Sequence, residues 1–379
     1  MKPLGLYVHI PFCPQLCPYC AFASLTGQEH LHGRYARAVC ADLDRTLDKG
    51  DKKRLVSVFF GGGTPSLVDP QWIGLVLAKA ATLASLSADA EVTLEANPGT
   101  ADAERFAALR ALGCNRLSIG VQAFNDCDLK ILGRVHSAAE AEQAVDLGRR
   151  AGFDNISLDL IWAVPGSPLN RWHATVERAL ALEPDHISAY ALTIEEGTVF
   201  AQRQQQGRLS PVAEDGQAEL FEWTAQRLIA AGFEHYEVSN FARPGRRSRH
   251  NWGYWTGAEY LGVGLSAHSY IDGRRSWRTR GLMDYIEAVE AGGEVEDGHE
   301  EIDAETARRE RVWLGLRTDV GVRLDTDERR VLQGSERFRA LIEADLAGWQ
   351  EDHLRLTGKG FLVADALGVE LTDMLERGL

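Results

Sequence analysis

The chain has 379 residues, 45% of them hydrophobic and 25% charged, and a net charge of −14. That is the composition of a globular protein large enough to bury a core and divide into two domains, and its acidic balance excludes nucleic acid as the main partner. No apolar run reaches membrane-span length, and Met1-Lys2-Pro3 leads straight into a strand pattern, so no signal peptide and a cytoplasmic setting are expected.

Residues 6–10 read as the first strand. Further strands, rich in β-branched residues, are predicted over 55–60, 92–95, 117–122, 156–162 and 187–192. Helix patterns over 34–48, 71–86, 102–112, 137–151 and 169–182 lie between them. Ser137 and Glu140 make a capping box. Gly113, Gly152 and Gly232 sit where helices should stop. Repeated strand–helix–strand units imply an α/β chain with a parallel sheet and right-handed crossovers. Six such units suit an open (β/α)6 partial barrel of the TIM type, assigned to residues 1–240. Residues 241–285, rich in Gly, Arg and aromatics, are expected to be irregular. Residues 286–379 form the third segment. The acidic run at 284–305 reads as a solvated helix end and linker. Helices over 303–316 and 335–349 follow, then a hairpin of 354–357 and 361–363 around Gly358-Lys359-Gly360. Together they suggest a small α+β, winged-helix-like domain.

Cys13, Cys17 and Cys20 stand in a CxxxCxxC spacing just after the first strand. Three thiols on one loop fit half of a structural zinc site, with His9 or His30 in reserve, but no second CxxC completes it. The better fit is three corners of a [4Fe–4S] cluster whose fourth iron is open to a small ligand. Cys40, Cys114 and Cys127 stand alone and read as ordinary thiols.

Polar residues mark the carboxyl ends of the following strands, where α/β barrels build their sites. Gly61-Gly62-Gly63-Thr64 follows the second strand and lets backbone groups approach a ligand closely. Glu95 ends the third strand and Gln122 the fourth, and Asp159 lies within an apolar run, costly unless paired or ligand-bound. Arg134 offers a fork suited to a carboxylate.

The thiol spacing after a first strand resembles the radical SAM superfamily. His9-Ile10-Pro11-Phe12-Cys13 with Tyr19-Cys20 narrows the resemblance to the oxygen-independent coproporphyrinogen III oxidase-like group. The resemblance implies a [4Fe–4S] cluster on Cys13, Cys17 and Cys20. It further implies S-adenosylmethionine bound by Tyr7, Gly62, Gly63, Thr64, Glu95, Gln122, Arg134 and Asp159. The oxidases of the group carry a fourth cysteine two residues after the third, where this chain has Phe22, and a longer N-terminal extension. Both differences make the chain similar to the heme chaperones of the group. Ala163, where Gly is usual, is a mild departure.

His250-Asn251-Trp252-Gly253-Tyr254-Trp255 matches the group's HNxxYW motif. Histidine is a standard axial ligand of heme iron, so His250 is the first candidate heme ligand and His268 the second. Arg243, Arg246, Arg247 and Arg249 are candidates to pair with heme propionates. His9 and His136 read as supports of the loops. The leading expectation is a heme chaperone serving acceptor hemoproteins, membrane-associated respiratory complexes among them, with dimerisation left open. The competing ones are a radical enzyme acting on a tetrapyrrole and a zinc-stabilised binding module.

Overall fold

The computed structural model describes residues 1–47 and 53–378; residue 48, the expected end of the first helix, lies outside them. Six strands run parallel in sequence order: β1 (Lys2–Ile10), β2 (Lys53–Gly62), β3 (Ser85–Ala96), β4 (Arg116–Gln122), β5 (Ile156–Trp162) and β6 (His186–Ala191). Helices His32–Thr46, Pro70–Leu83, Ala103–Ala111, Ala138–Arg150 and Leu169–Ala181 connect them, as the alternation predicts. Local chemistry sets the boundaries. Asp69 accepts the Gln71 N–H at one helix start, and Ser137 and Glu140 form the expected capping box. Gly113 and Gly152 adopt φ of 106° and 89° just past helix ends, a conformation only glycine takes cheaply.

Side chains alternate across each strand, and the two faces differ sharply. One face carries Val92, Leu94, Leu117, Ile119, Val121, Ile156, Leu158, Leu160 and Ile187, all buried. Each of these contributes about 1.5–3 kcal/mol by leaving water. The other face carries Thr93 and Glu95, then Arg116 and Ser118, Ser157 and Asp159, His186 and Ser188. The register sets Thr93 beside Arg116, Glu95 beside Ser118, Ser118 beside Ser157 and Asp159 beside Ser188. The barrel strands are therefore apolar outward and polar inward.

The chain divides into two compact units. The first comprises Met1–Val212, Ser248–His250 and Glu259–Glu301; the second comprises Ala213–Arg247, Asn251–Ala258 and Ile302–Leu379. In the first unit the sheet continues past β1. Strand Tyr260–Val263 runs parallel to β1, and His268–Ile271, Arg274–Arg278 and Glu296–Glu301 follow antiparallel in turn. This corrects two expectations. Residues 241–285 are not irregular but hold strands and the helices Arg249–Trp255 and Leu282–Glu290. Part of the acidic run is a strand rather than a linker. It is held by opposite charge, with Arg274 bonded to Glu296 and Arg275 to Glu300 across the sheet.

The second unit packs helices Glu214–Ala230, Ala304–Gly315, Thr326–Gly334, Glu336–Glu343 and Ala364–Gly378 with a three-stranded sheet. That sheet has the order Val322–Arg323, His353–Leu356, Ala347–Gln350. Leu316, Leu332, Leu354 and Leu371 are fully buried at its core. The arm expected at 354–357 is strand His353–Leu356, but its hairpin partner is Ala347–Gln350 and not 361–363, with the turn at Glu351, whose φ is 55°. Thr357 caps a helical turn at Gly358–Phe361 instead of leading into a strand. The helix expected over 335–349 ends at Glu343, so its last residues supply the other arm of that hairpin. No described helix is long and apolar enough to cross a membrane.

Candidate functional site

The thiol loop leaves β1 and is tied down at both ends. Cys13 N–H donates to the Leu25 carbonyl at 2.8 Å and Leu25 N–H to that of Pro11 at 2.7 Å. The glycine run after β2 clamps it from beside: Gly63 N–H reaches Ile10 O and Thr64 N–H reaches Phe12 O, both at 2.8 Å. A side chain at Gly63 would sit 2.8 Å from those same carbonyls. At Gly62, φ is +110° and a Cβ would fall 2.4 Å from the His9 ring. His9 is placed by Tyr7, whose hydroxyl lies 3.0 Å from Nδ1, and by the Ala23 carbonyl 2.7 Å from Nε2. His9 thus supports the loop, as expected of it.

Cys13, Cys17 and Cys20 are half-buried and free of disulfides. Burial pushes the Cys13 and Cys20 thiols up, and both feel the neighbouring Cys17. Thr64 Oγ1 donates to Cys13 Sγ at 3.5 Å and Arg134 Nη1 to Cys17 Sγ at 3.4 Å. Three thiols crowded out of water are stabilised as thiolates only by positive charge, which suits a polynuclear iron centre. Arg134 also donates through Nη2 to Asn97 and to Gly120 O, the latter at 3.0 Å. Its Nε is buried and unpartnered among the described residues, a donor that a bound carboxylate can use. The residues present therefore fit both groups that the sequence implies, the cluster and the amino-acid end of its ligand.

Glu95 and Asp159 face the same interior. Glu95 accepts the Gly62 N–H at 3.0 Å, and Asp159 accepts the Ser118 hydroxyl at 3.1 Å on each oxygen. Burial, then the charge of Asp159, raises the Glu95 carboxyl to about 8. Burial likewise raises Asp159, against its serine bonds and Arg116. Gln122 holds φ of 65°, a strained value for a residue with a Cβ, at the end of β4. Its amide folds over Gly120, 2.9 Å from where a Cβ would be. Sequence reasoning missed Arg116. Only 1% exposed, it lies beneath both carboxylates with Nε and Nη1 unpartnered among the described residues. A lone charge inside the apolar run 116–122 was the available signal.

The structure places His250 inside the sheet. It is 3% exposed, its Nδ1 lies 2.9 Å from Ser57 Oγ, and its ring stacks on Phe59 and Tyr7. Its backbone N–H is held by Glu91, and Gly5 packs against its ring, where a Cβ would stand 3.5 Å away. Burial, then Arg116, lowers it to about 3, so the ring is neutral where it packs in the sheet. The nearby arginines are also engaged within the protein. Arg247 pairs with Asp319 and Glu234, Arg249 with Asp89, and Arg243 lies over the Phe233 ring. His268, by contrast, is exposed.

Comparison with known proteins fits this geometry. The Radical SAM superfamily profile matches residues 7–179. The chain is 38% identical to "Heme chaperone HemW" of Mycobacterium tuberculosis, over 97% of this chain and 94% of that one. To the protein of the same name in Escherichia coli it is 40% identical, over 74% and 75%. It is 36% identical to "Radical S-adenosyl methionine domain-containing protein 1, mitochondrial" of Bos taurus, over 98% and 88%. In fold it is similar to coproporphyrinogen III oxidase from Escherichia coli, described as a radical SAM enzyme. The TM-score is 0.82 at 23% identity, covering 100% of this chain and 91% of that structure.

Proposed function

Because the chain belongs to the HemW family of radical SAM proteins, we propose that it is a heme chaperone that carries a SAM-ligated [4Fe–4S] cluster and hands heme to acceptor hemoproteins. Respiratory hemoproteins, including membrane-associated complexes, are the acceptors this reading names, and the setting it names is the cytoplasm. The observation that carries the reading is Phe22. At the place where the oxidases resembling this chain have a fourth cysteine, it stands 72% exposed on the thiol loop.

Cys13, Cys17 and Cys20 would hold the cluster. The Arg134 guanidinium would take the carboxylate of S-adenosylmethionine, and Gly62, Gly63 and Thr64 would bring backbone groups to its amino-acid end. Tyr7, Glu95, Gln122 and Asp159 would complete the lining. When bound, such a cluster supplies one electron at low potential to its ligand. The chain's own residues fix the loop and balance charge: Arg116 offsets the charge of the two buried carboxylates. The intact lining also favours a second reading, a coproporphyrinogen dehydrogenase-like enzyme that decarboxylates a tetrapyrrole.

The test is heme transfer. Anaerobically reconstituted protein loaded with heme should pass it to an apo-hemoprotein, seen as a shift of the Soret band to that of the acceptor. Heme that stays bound in the presence of an acceptor, or never binds, would rule the chaperone reading out.

A further inference from the structure

The end of β4 does not run straight. Ile119 pairs with Leu158 and Gln122 with Leu160, so three steps along β4 match two along β5. The extra residue is a bulge, a device that re-aims a side chain beside a site. Its form is a γ-turn. Ala123 N–H donates to the Val121 carbonyl at 2.8 Å, across Gln122 with its φ of 65°. A γ-turn at positive φ is rare and strained, and it persists only where the surroundings fix it.

Two side chains fix it, both from the segment Gly133–His136. Arg134 Nη2 donates to the Gly120 carbonyl at 3.0 Å, and His136 Nε2 lies 3.1 Å from the Val121 carbonyl. A carbonyl only accepts, so Nε2 carries the proton of the His136 ring. Val121 thus uses both lone pairs, one in the turn and one on His136. His136 is 4% exposed, and its Nδ1 is buried without a partner among the described residues. Burying a ring nitrogen in this way is costly, so the ring is held there for its other bond. The segment is itself pinned to the thiol loop. Gln15 Nε2 donates to the Gly133 carbonyl at 3.1 Å, and Gly133, with φ of 66°, packs where a Cβ would fall 2.5 Å from Pro18. On the interior side of the turn, Gln122 Nε2 and Arg134 Nη2 lie 2.9 and 3.5 Å from where a Gly120 Cβ would stand. The amide and the guanidinium therefore converge over Gly120.

We propose that His136 is a positioning residue for S-adenosylmethionine: its bond to Val121 holds the γ-turn that keeps the Gln122 amide beside the Arg134 fork. The inference rests on the reading of this interior as a S-adenosylmethionine site. His136 acts through Gln122. Without its bond the strained turn relaxes toward ordinary extended strand, and the amide leaves its place over Gly120.

The experiment titrates S-adenosylmethionine into the anaerobically reconstituted full chain by calorimetry, with iron and sulfide content measured on each sample. His136→Leu fills the space without a donor and should weaken binding about tenfold at unchanged cluster content, the effect of one lost buried hydrogen bond. His136→Asn keeps a polar side chain too short to reach Val121 and should weaken binding alike, so the comparison survives a leucine variant that does not fold. His136→Gln places an N–H where Nε2 stands and should restore the affinity of the parent. Leucine and asparagine variants that bind as the parent does, or a glutamine variant as weak as they are, would overturn the proposal. So would loss of the cluster in the variants, which would make His136 a support of the thiol loop. A parent chain that holds its cluster and binds no S-adenosylmethionine would overturn the S-adenosylmethionine site, and this proposal with it.

Discussion

Glu95→Gln probes the charge balance of the barrel interior. Burial and the charge of Asp159 raise the Glu95 carboxyl from 4.5 to about 8. Between those values the folded chain holds a proton that the unfolded chain has released. The folded state binds more protons there, so stability is lost as pH rises through the window and the loss is complete above about 8. A shift of that size corresponds to about 5 kcal/mol in full, and about 3 kcal/mol at pH 7. Glutamine keeps an oxygen for the Gly62 N–H and carries no charge to desolvate. Urea unfolding of the cofactor-free parent and Glu95→Gln at pH 5.5, 7 and 8.5 reads the difference. The parent should fall relative to the variant by about 3 kcal/mol between the two ends of this range. Parallel curves would show that Glu95 titrates alike in both states and would refute the argument.

Other perturbations reach different parts of the account. Replacing Cys13, Cys17 or Cys20 by Ser should abolish the iron–sulfur absorbance of reconstituted protein, whereas Cys114→Ser should leave it unchanged. Gly62→Ala drives a methyl to within 2.4 Å of the His9 ring at a φ of +110°, so cluster yield should drop several-fold while far-ultraviolet dichroism is kept. Ser137→Ala removes the capping box and should lower stability by about 1 kcal/mol in urea unfolding. His250→Ala loses the Ser57 bond and the stacking on Phe59, and should lower stability by about 2 kcal/mol in urea unfolding.

The six barrel strands and their helices were legible because outward-facing Val, Leu and Ile recur where strands must bury a face against helices. The thiol loop and the glycine clamp were legible from spacing, since both depend on short-range geometry. Arg116 was not, because its part is played by a register that sets it beside Thr93, which only pairing reveals. The burial of His250 was hidden for a related reason: it is decided by Ser57 and Phe59, on a strand nearly two hundred residues away. The strands within 260–278 were hidden by their shortness, four or five residues each, and by the Gly, Ser, His and Arg that break the apolar alternation. The C-terminal hairpin was misplaced because Gly358-Lys359-Gly360 looks like a turn, while the true turn uses Glu351 at positive φ.

The central claim is that the chain handles heme rather than making its precursor. Reconstituted protein incubated anaerobically with reductant, S-adenosylmethionine and coproporphyrinogen III, with product followed by porphyrin chromatography, tests it most directly. The account predicts that coproporphyrinogen is recovered unchanged. Catalytic formation of the divinyl product, with 5′-deoxyadenosine released in proportion, would contradict it.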